Sequence, residues 1–472
     1  MADKTYDIIV IGAGPGGYPA AIRAAQLGLE TLCVDKEYLG GVCLNWGCIP
    51  SKALIAAANL AHKTRNAEGM GIKAQVEVDV GQMQQWKNGI VNKLTGGVGQ
   101  LIKGNGGEWM IGEAKLTGKS TVQVTDGDGK TSTYEARKGI LVATGAQVIQ
   151  IPGFEPDGED ILTAREAINL PEVPENLVLI GGGYIGLELG MVYQKLGSKL
   201  TVVEMTDQLM PTMDADLVKV VEKHLKKDGA DILLEAKATG YEKKKNGKLV
   251  VTVEHKGEKK QIEADKILVA VGFKPSSKNL GLEELGVKTD DKGHIQVDDT
   301  LQTNIAGVYA AGDVARPPYL AHKATKEGEV AAEVIAGHKS AADWRALPAA
   351  VFTHPEIATV GLSEKQAKEQ GREVLVGKFP FSVSGRAMSV METDGFVKVL
   401  ADPKSHEVLG MAVVGPDASD LIAEPTLAME MSAFVEDVAL TIHTHPTLAE
   451  ATMEAFKHAI GEAIHVMNRK RK

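Results

Sequence analysis

Two of the chain's three cysteines, Cys43 and Cys48, stand five positions apart in the segment LGGVCLNWGCIPSK. An apolar run from Ala53 to Ala61 follows them and has the character of a helix. A helix that opens just after Cys48 directs its positive end at that sulfur and favours the thiolate. A dithiol in such a place can open and close while it exchanges two electrons with a bound partner. The spacing therefore predicts redox catalysis.

Other uses of this cysteine pair are less favoured. A chain of 472 residues buries a large core and does not need a structural disulfide. Half a zinc site is disfavoured, because zinc-binding cysteines usually stand roughly two to four residues apart and need a second pair of ligands. The remaining cysteine, Cys33, lies in an apolar strand from Thr31 to Val34 and is expected in the core.

A second chemical cluster lies in the segment HTHPTLAE, which starts at His443. Glu450, in the first turn of a helix predicted to begin near Pro446, can hold one ring nitrogen of His445 and leave the other as a base. On these residues alone, a core position for His445 is an equal alternative. Thiol–disulfide exchange requires proton transfer, which favours the base. A metal site at His443 and His445 is disfavoured because further ligands are missing, so no metal is expected.

The elements that must position these groups begin with an apolar strand from Tyr6 to Ile11. A G-x-G-x-x-G turn, a helix-like run and a strand with a terminal acid follow it in that order. The glycines permit a tight turn and the close approach of a pyrophosphate, and the acid binds a ribose hydroxyl. This order predicts a dinucleotide site at Gly12, Gly14, Gly17 and Asp35.

The same pattern occurs a second time, 169 residues later, at Gly181, Gly183, Gly186 and Glu204. In both copies the acid stands 21 positions after the middle glycine. Two dinucleotides bound by two similar domains is the simplest interpretation. The carboxylate of Glu204, with no arginine in the thirteen residues that follow it, favours NAD over NADP, whose extra phosphate would need a cation.

Further elements follow from the apolar pattern. A helix is predicted from Val80 to Lys103, and a strand that ends in an acid from Val308 to Asp313. A solvated lysine-rich turn is expected at Lys243 to Lys248. The character of the chain changes near Arg345. Beyond it, an antiparallel sheet and a helix are predicted, with strands at 351–362, 379–381 and 396–399 and the helix at 419–434.

Composition limits the class of protein. The net charge of −10 argues against nucleic acid as the main partner. No apolar stretch approaches the roughly 20 residues of a membrane span. The N-terminus leads directly into a strand and leaves no room for a signal peptide, so a cytoplasmic location is expected.

The motif GGVCLNWGCIPSK, the two glycine fingerprints, VYAAGD followed by LAHKA, and HPTLAE together resemble the pyridine nucleotide-disulfide oxidoreductases, from about Tyr6 to about Ile464. The resemblance implies an α/β fold with two similar Rossmann-like domains and a C-terminal α+β dimerisation domain. The implied domains are 1–147 for FAD and the redox disulfide, 148–272 for NAD, 273–345 to complete the FAD site, and 346–472 for dimerisation.

The resemblance also implies the cofactor contacts. FAD would occupy the first fingerprint, with contacts at Gly12, Gly14, Gly17, Asp35, Lys36, Lys52, Ala114, Gly145, Asp313 and Ala321. NAD would occupy the second, with contacts at Gly181, Gly183, Gly186, Glu204, Ala238 and Gly272, and Glu188 would pair with Lys52 beneath the flavin.

The implied activity is oxidation of protein-bound dihydrolipoamide to lipoamide with reduction of NAD. Cys43 would exchange with the substrate, and Cys48 would lie nearer the flavin and form a charge-transfer pair with it. His445 would reach the disulfide from the other subunit of a homodimer. The expected partner is the dihydrolipoyl acyltransferase of a 2-oxoacid dehydrogenase complex or the lipoyl carrier of glycine cleavage.

Two alternatives remain open. The first is an NADPH-dependent disulfide reductase similar to glutathione reductase. Tyr184 matches the gating tyrosine of those enzymes. Gly186, which stands in place of an alanine, and the absence of arginines for the 2′-phosphate of NADPH disfavour this alternative. The second is a flavoprotein scaffold without redox activity. A mercuric reductase is disfavoured because no cysteine lies beyond Cys48.

Two further features stand apart from these motifs. Trp46 departs from the valine common at its position in the family that the chain resembles. The basic tail, Arg469 to Lys472, is expected to be a solvated end.

Overall fold

The computed structural model describes residues 2–468, so the predicted solvated tail at Arg469 to Lys472 lies outside the described residues. The strands are β1 Lys4–Ile11, β2 Thr31–Asp35, β3 Glu108–Ile111, β4 Glu113–Gly118, β5 Thr121–Thr125, β6 Thr131–Val142, β7 Ala146–Val148, β8 Ile161–Leu162, β9 Asn176–Ile180, β10 Lys199–Val203, β11 Asp231–Leu233, β12 Ala236–Lys243, β13 Leu249–His255, β14 Glu258–Ala264, β15 Lys266–Val269, β16 Phe273–Pro275, β17 Val308–Ala310, β18 Ala349–Val351, β19 Glu356–Gly361, β20 Leu375–Pro380, β21 Phe396–Ala401 and β22 Val408–Gly415.

The helices are α1 Gly17–Gln26, α2 Gly41–Asn45, α3 Cys48–Arg65, α4 Val80–Gly104, α5 Ala164–Ala167, α6 Tyr184–Leu196, α7 Ala215–Lys227, α8 Ala321–Ala336, α9 Glu364–Glu369, α10 Gly385–Ser389, α11 Ala418–Leu421, α12 Ala423–Glu430, α13 Val435–Leu440 and α14 Glu450–Ala459. Short 3₁₀ turns occur at Ala67–Met70, Gly312–Val314 and Phe381–Val383.

The first of two compact units comprises Met1–Leu54, Asp79–Gln150 and Gly272–Asp343. Its main sheet has the order β3-β2-β1-β6-β5-β4, and β17 pairs with β6. Strand β1 is parallel to β2 and β6, and Ile8, Ile9 and Val10 on it are fully buried. Because both faces are covered, β1 is an apolar run without alternation, as predicted.

The second unit comprises Ile55–Val78, Ile151–Val271 and Trp344–Lys472. Its central part contains a parallel sheet in the order β11-β10-β9-β15-β8 and an antiparallel sheet in the order β12-β13-β14. The predicted lysine-rich turn joins β12 to β13, since Lys243 pairs with Leu249.

The C-terminal part of the second unit is an antiparallel sheet in the order β18-β19-β22-β21-β20. Its core includes Phe379, Phe381, Val413 and Phe456. An antiparallel sheet was predicted here, but its details were partly wrong. The strand predicted at 351–362 is two strands, β18 and β19, which pair with each other, and the buried strand β22 was missed.

Two helix predictions in this part need correction. The helix predicted at 419–434 is divided into α11 and α12 and ends at Glu430. Pro425, which has no N–H to donate, lies in the first turn of α12. At the other end of α12 the chain reverses direction, and the Ala433 N–H donates to the Ala428 carbonyl oxygen. The last helix begins at Glu450 rather than near Pro446. The Glu450 carboxylate accepts the Thr447 N–H at 2.9 Å, so the residues after Pro446 form a turn.

The parallel sheets and the antiparallel C-terminal sheet confirm the predicted α/β fold class. The division at residues 147, 272 and 345 remains a proposal. Between residues 2 and 468, no helix combines the length and apolar character needed to cross a membrane.

Candidate active site

The cysteine pair lies where a short helix meets a long one. Cys43 is in α2 and Cys48 is the first residue of α3, an 18-residue helix. The two cysteines form a disulfide, with their Cα atoms 4.6 Å apart. The predicted helix thus begins at Cys48 itself, and its positive end lies at that sulfur. Cys33 is fully buried, as predicted, and burial raises the pKa of its thiol well above the usual range.

The first fingerprint is shaped by close backbone approaches. Gly12 has φ +101°, and a Cβ there would lie 2.3 Å from the Ala143 carbonyl oxygen. A Cβ at Gly17 would lie 1.7 Å from the Gly12 carbonyl oxygen. Both positions require glycine because β1, α1 and the end of β6 converge there.

The dithiol segment is attached to this fingerprint. The Gly40 N–H donates to the Ala13 carbonyl oxygen at 2.8 Å. A Cβ at Gly41 would lie 2.5 Å from the Gly14 Cα, whereas a Cβ at Gly14 would meet only the Gly41 Cα, at 3.7 Å. The backbone of Gly14 is therefore open for a ligand, and α2 begins directly beside it. The sequence did not indicate this role for Gly41.

The acid at the end of β2 fixes the turn of the first fingerprint. Asp35 Oδ2 accepts the Ala13 N–H at 2.7 Å, and Oδ1 accepts the N–H groups of Glu37 and Tyr38 at 3.0 and 3.2 Å. Lys36, beside it, is exposed. Asp35 thus lies at the glycine turn, where the sequence predicted it, and Lys36 faces solvent.

Two more predicted FAD contacts lie in the same unit. Gly145, with φ +67°, follows β6, and its carbonyl oxygen accepts the Ser276 N–H at 2.9 Å. Ala114 is buried in β4. Since the Ala143 carbonyl lies against Gly12, Gly145 is near the fingerprint.

Asp313 and Ala321 flank a buried ion network that the sequence did not reveal. Asp313 follows Gly312, whose N–H donates to Glu327 Oε2 at 2.7 Å. Lys323 Nζ lies 3.2 Å from that oxygen, and Arg316 Nε donates to Oε1 at 2.9 Å. Burial raises the pKa of Asp313 to about 6; Lys323 opposes this shift and Glu327 adds to it. Ala321 is the first residue of α8. The spacing of Lys323 and Glu327 by four residues on α8 was the available signal.

The second fingerprint repeats the geometry of the first. Gly181 also has φ +101°, and a Cβ there would lie 2.6 Å from the Ala270 carbonyl oxygen. Glu204 Oε2 accepts the Gly182 N–H at 2.6 Å, the counterpart of the contact between Asp35 and Ala13. A Cβ at Gly186 would lie 2.7 Å from Leu179 Cδ1.

Its middle glycine is more open than that of the first fingerprint. A Cβ at Gly183 would meet only the Ala270 carbonyl oxygen, at 4.0 Å. Gly183 precedes α6, whose first residue, Tyr184, is 38% exposed. The backbone N–H groups at the start of α6 can therefore receive a pyrophosphate.

The remaining predicted NAD contacts are distributed over the two units. Glu188 on α6 is buried, and its Oε1 accepts the Phe352 N–H at 2.8 Å. Ala238 is half-buried on β12. Gly272 and Lys52 belong to the first unit and Glu188 to the second. The pairing of Lys52 with Glu188, and the contact of Gly272 with NAD, stay predictions.

The second chemical cluster brings His445 and Glu450 together. His445 Nδ1 donates to Glu450 Oε1 at 2.9 Å, which leaves Nε2 directed away from the carboxylate. The side chain of His445 is 81% exposed, so the alternative of a core histidine was wrong. Burial tends to raise the pKa of Glu450, but hydrogen bonds from the Thr447 N–H and His445 outweigh it, so the net pKa is lowered.

The neighbouring histidine has a structural explanation. His443 Nε2 donates to Glu424 Oε1, and its Nδ1 lies 2.9 Å from the Thr441 carbonyl oxygen. Among residues 2–468, no group of three or more histidine, cysteine or acidic side chains is arranged to hold a metal ion.

Comparison with known families decides the relationship. Residues 6–328 match the profile of the pyridine nucleotide-disulphide oxidoreductases, and residues 347–456 match the dimerisation domain of the same family. The chain belongs to this family.

Similar members of the pyridine nucleotide-disulphide oxidoreductase family match along nearly the whole chain. A dihydrolipoyl dehydrogenase of Haloferax volcanii is 50% identical over 465 residues, which are 98% of this chain and 98% of the relative. A dihydrolipoyl dehydrogenase of Thermus scotoductus is 48% identical over 468 residues, which are 99% of this chain and 100% of the relative.

Solved structures of the family agree with the fold. LpdA from Mycobacterium tuberculosis superposes with a TM-score of 0.89 at 30% identity and covers 95% of this chain and 99% of its own. The flavoprotein disulfide reductase RclA from Escherichia coli, solved as a Cu(II) complex, gives a TM-score of 0.85 at 26% identity, over 96% of this chain and 99% of its own.

Proposed function

We propose that this protein is an NAD-dependent dihydrolipoyl dehydrogenase, a flavoprotein that oxidises protein-bound dihydrolipoamide to lipoamide through the Cys43–Cys48 disulfide. The observation that carries the proposal is this disulfide at the start of α3. The full-length similarity to dihydrolipoyl dehydrogenases gives the pair its substrate class.

The two fingerprints fit the two dinucleotides. The open backbone at Gly14, beside Asp35, suits the pyrophosphate and ribose of FAD, and Gly183 and Glu204 suit those of NAD. Bound FAD supplies the two-electron carrier between the dithiol and NAD. The other predicted FAD and NAD contacts remain part of this proposal.

The chain's own residues carry the thiol chemistry. A dihydrolipoyl thiolate attacks the Cys43 sulfur, so the Cys43–Cys48 bond breaks and Cys48 leaves as a thiolate that the positive end of α3 stabilises. His445, oriented by Glu450, takes the substrate proton through its free Nε2. The second substrate thiol then attacks the first substrate sulfur and closes the lipoamide disulfide, while Cys43 leaves as a thiolate that takes the proton of the second thiol.

A homodimer is part of the proposal, because the histidine of one subunit would serve the disulfide of the other. The match of residues 347–456 to a dimerisation domain supports it. So do the apolar side chains just before His445, since Leu440 and Ile442 are 82% and 95% exposed. An acyltransferase of a 2-oxoacid dehydrogenase complex or a glycine-cleavage lipoyl carrier would present the lipoyl group. A cytoplasmic location is a proposal of the same kind.

A comparison of substrates tests this function. Purified protein with dihydrolipoamide should form NADH rapidly with NAD and at least about tenfold more slowly with NADP. A glutathione-reductase-like enzyme is the second candidate, favoured by the exposed Tyr184 beside the second fingerprint. Rapid consumption of NADPH with glutathione disulfide, without dihydrolipoamide turnover, would establish that candidate instead. A purified protein that contains flavin but reacts with no dithiol would instead be the scaffold without redox activity.

A further inference from the structure

A hydrogen bond closes the chain around the reactive helix α2. The indole Nε1–H of Trp46 donates to the hydroxyl of Tyr38. Within this loop the side-chain amide of Asn45 donates to the carbonyl oxygens of Leu39 and Gly41, at 2.9 and 2.8 Å. The residues from Tyr38 to Trp46 therefore form a closed loop that contains Cys43 and ends two residues before Cys48.

The front of this loop is fixed, because Gly40 donates to Ala13 and Gly41 lies against Gly14. Its back is packed only in part, because Leu39 and Leu44 belong to one core cluster with Val98 and Ile102 of α4. Beside these contacts lies a cavity of about 300 Å³ that opens to solvent, lined on the loop side by Tyr38, Leu39 and Asn45 and on the opposite side by Gly96, Gly99 and Trp109. Apolar contacts thus hold the middle of the loop, and the bond from Trp46 to Tyr38 restrains its two ends beside the cavity.

Restraint of this loop matters for the redox equilibrium. When the disulfide is reduced, the two sulfurs separate, and the ease with which they rejoin depends on their effective concentration. A loop held in its disulfide position keeps Cys43 close to Cys48, whereas a loop free to move into the cavity does not.

We propose that Trp46 and Tyr38 are positioning residues that favour the closed Cys43–Cys48 disulfide by holding the loop against movement into the cavity behind it. The proposal rests on the proposed function only in requiring that the pair cycles between dithiol and disulfide.

The test is an equilibrium with dithiothreitol. Reduced dithiothreitol loses two electrons and two protons and closes its own ring disulfide, while the Cys43–Cys48 bond breaks and two thiols form. Holoenzyme would be equilibrated in buffers of set ratio, quenched in acid, and its thiols counted by alkylation and mass spectrometry. Cys33, a free cysteine, adds one constant label.

Tyr38→Phe removes the hydrogen bond and keeps the phenyl ring, and Trp46→Phe removes the bond and leaves a smaller aromatic ring. Each should shift the equilibrium constant about five- to tenfold toward the dithiol, the worth of one hydrogen bond; tenfold corresponds to about 30 mV for this two-electron couple. The double variant should match the single variants, because both remove the same bond.

Trp86→Phe is the matched control. Trp86 lies on α4, is 49% exposed and does not line the cavity, so this change should leave the equilibrium constant unaltered. Filling the cavity should offset the lost bond. Gly96→Leu, where a Cβ meets no atom within 4 Å, should restore part of the shift in Tyr38→Phe, whereas Gly89→Leu, on the same helix outside the cavity, should not.

Two results would overturn the inference alone: equilibrium constants within twofold of wild type in both single variants, or additive shifts in the double variant. A shift toward the disulfide would contradict the direction of the argument. A wild-type pair that no dithiothreitol ratio reduces would overturn the proposed function, and the inference with it.

Discussion

The two nucleotide fingerprints of this chain have the same internal geometry but different surroundings. In each, the first glycine has φ +101° and the terminal acid accepts a backbone N–H of the glycine turn. In the first, the middle glycine lies against Gly41 of the dithiol segment, and Asp313 and α8 belong to the same unit. In the second, a Cβ at the middle glycine would meet only the Ala270 carbonyl oxygen, at 4.0 Å, and the next residue is the exposed Tyr184.

This difference suits the two ligands we propose. A cofactor that stays bound benefits when the glycine turn that binds it also contacts the segment of Cys43 and Cys48, because the same contacts then position the cofactor and the cysteines. A substrate that enters and leaves in each cycle needs an accessible site. The two fingerprints thus share one geometry for binding a dinucleotide. The residues around each fingerprint determine whether that dinucleotide stays bound or exchanges in every catalytic cycle.

The largest expected difference between the fingerprints concerns their third glycines. Gly17→Ala would place a Cβ 1.7 Å from the Gly12 carbonyl oxygen, a backbone atom, and should abolish flavin binding or folding. Gly186→Ala meets the Leu179 and Ala270 side chains first, at 2.7 and 2.9 Å. It should fold, retain flavin and raise KM for NAD. Flavin-to-protein ratios and steady-state kinetics measure both.

The matched control for these substitutions is Gly89→Ala, at an exposed position of α4 where a Cβ meets nothing within 4 Å. It should be neutral or stabilise the helix by up to about 1 kcal/mol. Normal flavin content in Gly17→Ala would show that the first turn can open, and would contradict the comparison.

A smaller effect is expected at the terminal acids. Glu204→Gln removes the charged acceptor for a ribose hydroxyl and should raise KM for NAD about 10- to 100-fold with little change in kcat. Asp35→Asn should weaken flavin retention, measured by dilution and filtration, while protein that keeps its flavin turns over normally. Asp207→Asn, at an exposed acid near Glu204, is the charge-matched control and should change neither. Equal effects of Glu204→Gln and Asp207→Asn on KM would remove Glu204 from the NAD site.

A last effect, on stability rather than on binding, concerns Asp313 in the flavin-free protein. Burial raises the pKa of its carboxyl from 3.8 to about 6, so the folded state keeps a proton that the unfolded state loses as pH rises through this window. The folded state is therefore penalised above pH 6 and not below 3.8. Asp313→Asn, which resembles the protonated acid, should raise the free energy of unfolding by up to about 3 kcal/mol above pH 6. Below about pH 4, where the carboxyl is protonated in the folded state, Asp313→Asn should leave the free energy of unfolding unchanged. Denaturant unfolding at several pH values measures this, and a benefit independent of pH would contradict the assignment.

The sequence predicted the parts of the site that depend on local order. Strand, glycine turn, helix and acid follow one another within a few tens of residues, so both fingerprints and the position of Cys48 at a helix start could be inferred. His445 and Glu450, five residues apart, were also paired correctly.

The contacts that the sequence did not reveal join segments through folding rather than through spacing. The approach of Gly41 to Gly14, the ion network at Glu327 and the cavity behind Tyr38 depend on how elements pack. The C-terminal sheet was predicted less well because β21 and β22 are almost entirely buried and show no alternation of buried and exposed residues. The start of α14 was misjudged because the Glu450 carboxylate is engaged by Thr447 ahead of the helix.

The most direct test of the account separates the dithiol from the flavin. Cys43→Ser should retain flavin and lose dihydrolipoamide turnover by at least about a thousandfold, because no sulfur remains for the substrate to attack. The same protein should still oxidise NADH with ferricyanide, which takes electrons without the dithiol. Dihydrolipoamide turnover near the wild-type rate in Cys43→Ser would contradict the central claim that electrons enter through the Cys43–Cys48 pair.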